Sequence, residues 1–225
     1  MAKNKKGIYK RILIRFLLTG ILLVILILGG FLGMIFMGAF GPLPSTTELA
    51  DLKDENATLV YSSDHDLIGK IFSKNHTEIN WEVLPQHLID ALICTEDVRF
   101  YEHNGIDNRS LMRVIIKSII MGNRASGGGS TITQQLAKNL YGREDFGLLT
   151  LPVNKIREAI IAVRLEEVYS KDDILLIYLN FVPFGEEVFG IEAAANRYYN
   201  KTVSELEIDE AATKVRREKL LDARE

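Results

Sequence analysis

The sequence predicts a mainly α fold with a small β element, preceded by one transmembrane helix. Three observations lead to this prediction. Residues 16–40 carry no charged side chain, and apolar residues recur at helical spacing in most of the chain after Trp81. Two short stretches of alternating apolar residues lie between these regions.

The apolar stretch 16–40 has 25 residues, which exceeds the roughly 20 needed to cross a bilayer. A cleaved signal peptide is the alternative, but its apolar core is usually about 7–15 residues and precedes an A-x-A site, which does not follow here. We therefore expect an uncleaved anchor. The segment 1–15 contains the cations Lys3, Lys5, Lys6, Lys10, Arg11 and Arg15. The positive-inside tendency places this segment in the cytoplasm and the rest of the chain outside.

The charge of the remaining chain argues against a nucleic-acid partner. The net charge is −3 overall, and without the six basic residues that precede the anchor it is −9, from 21 basic and 30 acidic residues. Nucleic-acid binders usually present a basic face. Cys94 is the only cysteine, which rules out a disulfide within the chain, and its apolar neighbours predict a buried thiol.

The region after the anchor divides into three parts. Residues 41–56, with two prolines and a Ser-Thr-Thr run, are typical of a linker. Residues 57–212 are predicted to form the folded domain, which opens with a β-hairpin made of 57–62 and 67–72. The highly charged segment 213–225 is predicted to be a solvated tail.

The motif EDVRFYEHNGID, which begins at Glu96, brings together residue types suited to acid–base chemistry. Glu96, Phe100 and His103 are spaced i, i+4, i+7, so they share one face if the helix continues that far. An acid, an aromatic ring and an imidazole would then converge. Acidic residues near helix ends are also common for purely structural reasons, so this motif alone does not decide between the two interpretations.

The motif GGGSTITQQLAKN follows a glycine-rich stretch that we interpret as a mobile loop. Thr131 and Gln134 form a T-x-x-Q capping box that predicts a new helix, on which Thr131, Gln135 and Lys138 share a face. Free N–H groups at the helix start, helped by a lysine, suit a phosphate-bearing ligand. The motif is not a P-loop of the form G-x-x-x-x-G-K-[ST], because Gly127, the second glycine of such a spacing, is followed by Gly128 and not by a lysine. A structural glycine-rich turn is the alternative.

The third motif, KIREAIIAVRLEE, places Lys155 and Glu158 one turn apart. A carboxylate beside a lysine can bind a cation or orient a phosphate, although an ordinary salt-bridged helix shows the same pattern. A fourth segment, ILLIYLNFVPFGEEVFGIEAAANRYYNK, follows it.

The four segments, in this order, resemble the peptidoglycan glycosyltransferases, family 51 of the glycosyltransferases. This family occurs as monofunctional transglycosylases and as the N-terminal domain of class A penicillin-binding proteins. The resemblance extends from about Leu59 to Lys201. It implies a lysozyme-like, mainly α glycosyltransferase domain with a flexible loop beside its cleft and a membrane-proximal jaw.

The resemblance also implies roles for individual residues. Glu96 is expected to be the catalytic base, Glu158 the second catalytic carboxylate, and Lys138 and Lys155 contacts to the pyrophosphate of lipid II. The positions that match cleft-lining residues of the family are Asp97, Phe100, His103, Ser130, Thr131, Gln135 and Asn139. A divalent cation, Mg²⁺ or Mn²⁺, held near Glu158 is a further way to neutralise the leaving pyrophosphate.

The implied reaction transfers the undecaprenyl-pyrophosphate-linked glycan chain to the 4-hydroxyl of an acceptor sugar. The expected partners are lipid II, the growing glycan, the bacterial cytoplasmic membrane, and other proteins of wall synthesis or division. No serine is followed three residues later by a lysine, so we expect no transpeptidase in this chain.

Two alternatives stay open at this point. One is an inactive scaffold that binds lipid II or wall-synthesis proteins. The other is a lysozyme-like hydrolase, which has no use for Lys138, Lys155 or an anchor. The sequence departs from the family at Asn154, commonly arginine, and at Leu176, commonly glutamate. After Ala212 it turns charged where the family continues in an apolar helix, so a shortened C-terminal part is expected.

Overall fold

The computed structural model describes residues 2–50, 52, 58–61, 67–71, 79–121, 129–184 and 188–213. The chain divides into two compact units, Met1–Leu43 and Pro44–Glu225.

The first unit is dominated by helix α1 (Ala2–Phe36). Its segment Ile12–Phe36 has a mean hydropathy of 2.8 and is long and apolar enough to cross a membrane. The helix ends four residues before the predicted limit at Phe40. It ends there because Gly38 and Gly41 take positive φ angles and Pro42 cannot donate a helical hydrogen bond.

The second unit is mainly α, as predicted. Its strands are β1 (Thr58–Tyr61) and β2 (Leu67–Ile71). Its helices are α2 (Thr46–Ala50), α3 (Gln86–Glu96), α4 (Asn108–Met121), α5 (Ile132–Tyr141), α6 (Thr150–Val168), α7 (Lys171–Phe181) and α8 (Ile191–Tyr199).

The predicted hairpin is confirmed. Strands β1 and β2 pair antiparallel, with Thr58 opposite Ile71 and Val60 opposite Gly69. The β-branched and alternating sequence that predicted the strands is the pattern that suits a pleated ladder. The connection at residues 62–66 lies outside the described residues.

The core of the second unit forms where α5, α6 and α7 pack on one another. Leu136, Leu165, Ile174 and Tyr178 are completely buried there. Helix α7 has a well-defined start because Ser170 and Asp173 form a capping box there. Helices α5 and α6 carry five of the eleven residues predicted to act in the site, which are Gln135, Lys138, Asn139, Lys155 and Glu158.

Helix α3 packs through Leu88 and Leu92, four residues apart on one face. Cys94 lies two residues further on and therefore points to the opposite side, where it is exposed. The prediction of a buried thiol was wrong, because the apolar neighbours of Cys94 in sequence are not its neighbours on the helix face.

Two polar contacts connect distant parts of the chain. The side-chain amide of Asn180 accepts a hydrogen bond from the Ile79 N–H (3.1 Å) and donates one to the Ile79 carbonyl (3.2 Å). The ring Nε2 of His87 lies 2.7 Å from the Leu206 carbonyl oxygen. Leu206 and Ala211 are buried, so the chain packs on the domain as far as Ala211. The predicted charged tail beyond Thr213, and with it the expected shortened C-terminal part, lies outside the described residues.

Candidate active site

Helix α3 ends at Glu96, the first residue of the EDVRFYEHNGID motif. Asp97 leaves the helical conformation, with φ −154° and ψ 76°, and a single 3₁₀ turn follows at Phe100–Glu102. The prediction that Glu96, Phe100 and His103 share one helical face was therefore wrong. The helix stops because the Asp97 side chain makes tertiary hydrogen bonds that an uninterrupted helix would not allow.

The Glu96 carboxylate is held by two side chains in series. Gln135 Nε2 donates to Glu96 Oε2 (2.9 Å). The hydroxyl of Tyr178, which is completely buried, donates to Gln135 Oε1 (3.1 Å). The buried hydroxyl of Tyr178 needs a hydrogen-bond acceptor, and the amide oxygen of Gln135 supplies it. The NH₂ group of the same amide is therefore directed at Glu96.

Asp97 fixes the start of α5 against the end of α3. Its Oδ2 accepts from the Ile132 N–H (3.2 Å) and lies 2.9 Å from His103 Nε2. The Gln134 N–H donates to Thr131 Oγ1 within the predicted capping box, which is confirmed. The prediction of free N–H groups at this helix start needs correction: Asp97 and Thr131 occupy two of them.

Gly105 allows the motif loop to lie directly on α6. Its φ is +83°, and a Cβ at this position would lie 2.8 Å from the Ala162 carbonyl carbon. Its carbonyl accepts from Thr131 Oγ1 (2.6 Å). The glycine of the HNG sequence thus supports a close backbone approach that no other residue permits.

Phe100 lies beneath the site. It is completely buried, its ring packs edge-on to that of His103, and the Lys171 ammonium lies 4.3 Å from its ring centroid. Lys171 also donates to the His103 carbonyl (2.6 Å) and pairs with Glu166 (2.7 Å). Phe100, which the resemblance places along the cleft, therefore supports the motif loop without being accessible to a ligand.

A cavity of about 220 Å³ opens beside Glu96. The polar and charged residues that line it are Thr95, Glu96, Asp97, Arg99, Asp107, Ser110, Arg113, Ser130 and Thr131. Glu96 of the first motif and Ser130 and Thr131 at the start of the second motif thus meet at one cavity.

Asp107 is one of the acidic residues that line this cavity, and its pKa is lowered. Burial opposes its charge, but hydrogen bonds from Arg99 (2.6 Å), from the Ser110 hydroxyl and from the Ser110 N–H (3.1 Å) outweigh burial and hold the pKa of Asp107 well below its usual range. Asp107 Oδ1 also accepts from the Arg109 N–H. It therefore caps α4 and anchors Arg99 at the edge of the cavity.

Glu158 forms a second charged cluster on α6. Its buried carboxylate pairs with Arg143 Nε (2.8 Å) and Lys155 Nζ (2.7 Å). Lys155 also donates to Ser130 Oγ (3.0 Å). Because Ser130 lines the cavity beside Glu96, these contacts connect the cation cluster to that cavity.

The residues around Glu158 do not suit a divalent cation. Mg²⁺ and Mn²⁺ prefer several oxygen ligands, whereas each oxygen of Glu158 contacts a cationic nitrogen. In the described part of the chain no three His, Cys, Asp or Glu side chains cluster in a way that could hold a metal ion.

The remaining predicted residues lie elsewhere on the same elements. Lys138 and Asn139 are half-buried on α5 and are not among the residues that line the cavity. Residues 122–128, which include most of the predicted mobile loop, are outside the described residues.

The two departures from the family pattern lie on α6 and α7. Asn154 is buried and donates to the carbonyls of Glu144 (2.8 Å) and Thr150 (2.9 Å), so it ties the preceding loop to α6. Leu176 is half-buried on α7.

Among the residues of the candidate site that sequence reasoning missed are Arg99, Arg113, Arg143 and Tyr178. Arg143 lies twelve residues before Lys155 in a loop without helical periodicity, so no spacing rule relates it to Glu158. Tyr178 lies in an apolar run, which predicts a residue of the hydrophobic core. Arg99 stands inside the first motif, eight residues before Asp107, and opposite charges within one motif are the signal that would have found it.

Comparison with known proteins agrees with this geometry. The family model described as transglycosylase matches residues 64–216. Penicillin-binding protein 1F of Bacillus subtilis (strain 168) is 36% identical over 198 residues, which cover 85% of this chain and 26% of that protein. Penicillin-binding protein 1A of Escherichia coli (strain K12) is 37% identical over 170 residues, covering 76% of this chain and 19% of that protein.

Penicillin-binding protein 1A of Aquifex aeolicus (strain VF5) is 36% identical over 196 residues, covering 87% of this chain and 26% of that protein. The chain spans about a quarter or less of the length of these curated relatives. The match covers the cavity, the Glu158 cluster and the helices that carry them. The chain therefore belongs to the transglycosylase family, as the order of its motifs predicted.

Proposed function

We propose that this chain is a peptidoglycan glycosyltransferase that polymerises lipid II into glycan strands, with Glu96 as the catalytic base. The observation that carries the proposal is the position of Glu96. Glu96 lines a cavity and its carboxylate is oriented by Gln135, while Ser130, which lines the same cavity, accepts a hydrogen bond from Lys155 of the Lys155–Glu158 pair.

Extension of the glycan needs a base at the acceptor sugar. In the proposed step, Glu96 takes the proton of the acceptor 4-hydroxyl as its oxygen attacks the anomeric carbon of the donor. The bond from that carbon to the undecaprenyl pyrophosphate breaks, and the electron pair leaves with the pyrophosphate. The hydrogen bond from Gln135 fixes one carboxylate oxygen of Glu96, so the group is positioned before substrate arrives.

The leaving pyrophosphate gains negative charge that must be neutralised. Lys155 and Arg143 are cationic, and the buried carboxylate of Glu158 holds both of them in place. We therefore infer that Glu158 acts by orienting these two cations, and we assign the neutralisation to side chains. Lys138 is proposed as a further cationic contact on α5. Asp97 and His103 are assigned the positioning of α5 next to Glu96.

The apolar helix α1 supports a location at the bacterial cytoplasmic membrane. We infer a single pass with the basic N-terminal segment inside and the catalytic domain outside, from the positive-inside tendency. Anchoring the domain in the bilayer that holds the lipid-linked substrate raises the effective concentration of that substrate. Contacts with other proteins of wall synthesis are proposed only as a consequence of this location.

The test is to incubate the purified chain and its Glu96→Gln variant in detergent with labelled lipid II, and separately with preformed glycan strands. Long strands made by the first protein and none by the second support the proposal. Lipid II that is bound by both but extended by neither would favour an inactive scaffold. Shortening of preformed strands would identify a hydrolase.

A further inference from the structure

Glu166 and Lys171 carry opposite charges at adjoining helix ends, each at the end where the helix dipole disfavours it. Glu166 lies in the last turn of α6, and Lys171 is the first residue of α7. Anions are stabilised at the N-terminus of a helix and cations at its C-terminus. Both side chains are also largely shielded from water, with 5% of Glu166 and 19% of Lys171 exposed. Their positions therefore point to a role beyond the two helices that carry them.

The attraction between the two charges is not a sufficient reason for their presence. Removing an ion pair from water costs about as much free energy as the attraction returns, so apolar residues can often replace such a pair. Apolar residues could not replace the contacts that each charge makes with a third group. Glu166 Oε1 accepts from the hydroxyl of Thr133 (2.7 Å), and Lys171 Nζ donates to the carbonyl of His103 (2.6 Å).

These contacts continue into a closed network around the start of α5. Thr133 directly follows Ile132, whose N–H donates to Asp97 Oδ2 (3.2 Å). The same oxygen lies 2.9 Å from His103 Nε2, and the His103 carbonyl leads back to Lys171. The network joins the end of α3, the start of α5, the end of α6 and the start of α7. We call its members the polar network: Asp97, His103, Ile132, Thr133, Glu166 and Lys171.

Lys171 supplies a restraint on His103 that the contact with Asp97 leaves open. In the described part of the chain, the buried Nδ1 of His103 has no hydrogen-bond partner, so hydrogen bonding holds the imidazole from one side only. The imidazole packs edge-on to Phe100, and the Lys171 ammonium lies 4.3 Å from the centroid of the Phe100 ring. One lysine thus fixes both the backbone of His103 and the aromatic ring on which its imidazole rests.

Both partners of the Glu96–Gln135 hydrogen bond are attached to the polar network. Asp97 directly follows Glu96 in the chain, and Thr133 lies two residues before Gln135 on α5. A shift of either Asp97 or Thr133 therefore changes the distance between Glu96 Oε2 and Gln135 Nε2, which is 2.9 Å. A small displacement of a catalytic group is enough to slow a reaction by up to about 10²-fold.

We propose that Glu166 and Lys171 are positioning residues for the reaction, because they hold Glu96 and Gln135 at hydrogen-bonding distance through the polar network. This inference rests on the proposed function, which makes Glu96 the base. Neither Glu166 nor Lys171 is among the residues that line the cavity, so both act through other side chains. The charge pair is the part of the network that ties the motif loop to the ends of α6 and α7.

The test compares removal of one charge with removal of both, in the full chain. Lys171→Met leaves the shielded carboxylate of Glu166 without its cation, which is strongly destabilising. The double variant Glu166→Gln/Lys171→Met contains no unpaired charge, and its glutamine can still accept from Thr133. Methionine cannot donate to the His103 carbonyl, so the polar network stays open in the double variant.

The matched control removes another lysine–glutamate pair of the same domain. Lys201 pairs with Glu210 at 2.9 Å, and neither residue is among those that line the cavity. The control is therefore the double variant Glu210→Gln/Lys201→Met. Thermal unfolding and the steady-state kinetics of lipid II polymerisation in detergent are measured for the native chain and all variants.

We expect the single variant Lys171→Met to unfold at a lower temperature than the native chain, and the double variant Glu166→Gln/Lys171→Met to regain most of that loss. The kcat of this double variant should nevertheless stay about tenfold below the native value, with KM for lipid II little changed. The control double variant should keep the native kcat. Recovery of kcat together with thermal stability would show a merely structural role and would overturn the inference.

Hydrogen–deuterium exchange separates this inference from the proposed function, because it does not depend on activity. We expect the double variant Glu166→Gln/Lys171→Met to exchange faster than the native chain across residues 130–136, which include the Ile132 N–H, and equally fast across α8. Unchanged exchange across 130–136 would overturn the inference and leave the glycosyltransferase intact. Faster exchange there in a protein whose native chain polymerises no lipid II would support the polar network and contradict the enzyme.

Discussion

Glu96 depends on an amide whose orientation is set by a buried phenol. Tyr178 donates to Gln135 Oε1, and Gln135 Nε2 donates to Glu96 Oε2. Without the phenol, nothing in this series of contacts prevents the amide from turning its oxygen towards the carboxylate, which would repel Glu96 and change its position.

We predict that Tyr178→Phe lowers kcat for polymerisation by about fivefold while KM changes little, since one hydrogen bond is worth about 1 kcal/mol. The matched control is Tyr169→Phe, which removes another buried hydroxyl, bonded to the Leu49 carbonyl (2.6 Å) away from the cavity. Steady-state kinetics of lipid II polymerisation gives kcat and KM for both variants. An equal loss of kcat in the two variants would mean that Tyr178 acts only through stability.

We expect Asp107 to contribute to the free energy of unfolding in a way that depends on pH. Burial opposes its charge, but Arg99 and Ser110 hold the pKa of Asp107 below its ordinary value. A lowered pKa in the folded state stabilises the protein at pH values above the ordinary aspartate pKa of about 4, and this contribution is lost as the pH falls below it.

The Asp107→Asn variant tests this prediction, because asparagine caps a helix about as well as aspartate but carries no charge. The free energy of unfolding of both proteins is measured by urea denaturation in detergent at several pH values. We expect wild type to be the more stable at neutral pH and the difference to shrink below about pH 4. A difference that stays constant across this range would contradict the role of the charge.

Single residues of the site were predictable only where a motif named them. Glu96, Gln135, Lys155 and Glu158 stand in motifs and were selected from the sequence. In the structure Glu96 lines the cavity, Gln135 contacts Glu96, and Lys155 and Glu158 form the cluster connected to the cavity. Arg143 and Tyr178 reach the same groups across the fold. Their contacts arise from helix packing, which no spacing within one segment encodes.

At the scale of elements, the site depends on how closely the loop after α3 approaches α6. Gly105 makes the approach possible, since a Cβ there would lie within 3 Å of three backbone atoms at Ala162 and Val163. Backbone atoms cannot move aside as a flexible side chain can, so any larger residue must displace the loop from α6.

We predict that Gly105→Ala lowers the free energy of unfolding by about 3 kcal/mol, from a strained φ and an overpacked contact together. Gly142→Ala is the matched control: Gly142 also has a positive φ of +66°, but a Cβ there would meet nothing within 4 Å. It should cost only about 1 kcal/mol. Urea denaturation of both variants measures the difference, and equal costs would refute the close approach.

The sequence located most elements but not their ends. The capping box at Thr131 marked the start of α5 because it is a local hydrogen-bond pattern. The end of α3 at Glu96 carried no such mark, since neither glycine nor proline follows within the next eight residues. There the tertiary contacts of Asp97 override local helical spacing, and the spacing alone was misleading.

The whole molecule combines an apolar anchor helix with a mainly α domain of the transglycosylase family. The fold class was predictable because helical periodicity, an uncharged stretch and a hairpin pattern are all local signals. The family was predictable only through the order of the motifs. The cation cluster at Glu158 shows why. The spacing of Lys155 and Glu158 in sequence predicts only an ordinary ion pair. Their connection to the cavity through Ser130 exists only in the folded domain.

The most direct test of the central claim is the steady-state kinetics of lipid II polymerisation by the native chain and its Glu96→Gln variant. Glutamine keeps the size of the side chain and can still contact Gln135, but it cannot accept the proton of the acceptor hydroxyl. We predict a loss in kcat of about 10²–10⁴-fold with KM for lipid II within a few-fold of the native value. Polymerisation by Glu96→Gln at a rate close to that of the native chain would contradict the assignment of Glu96 as the base.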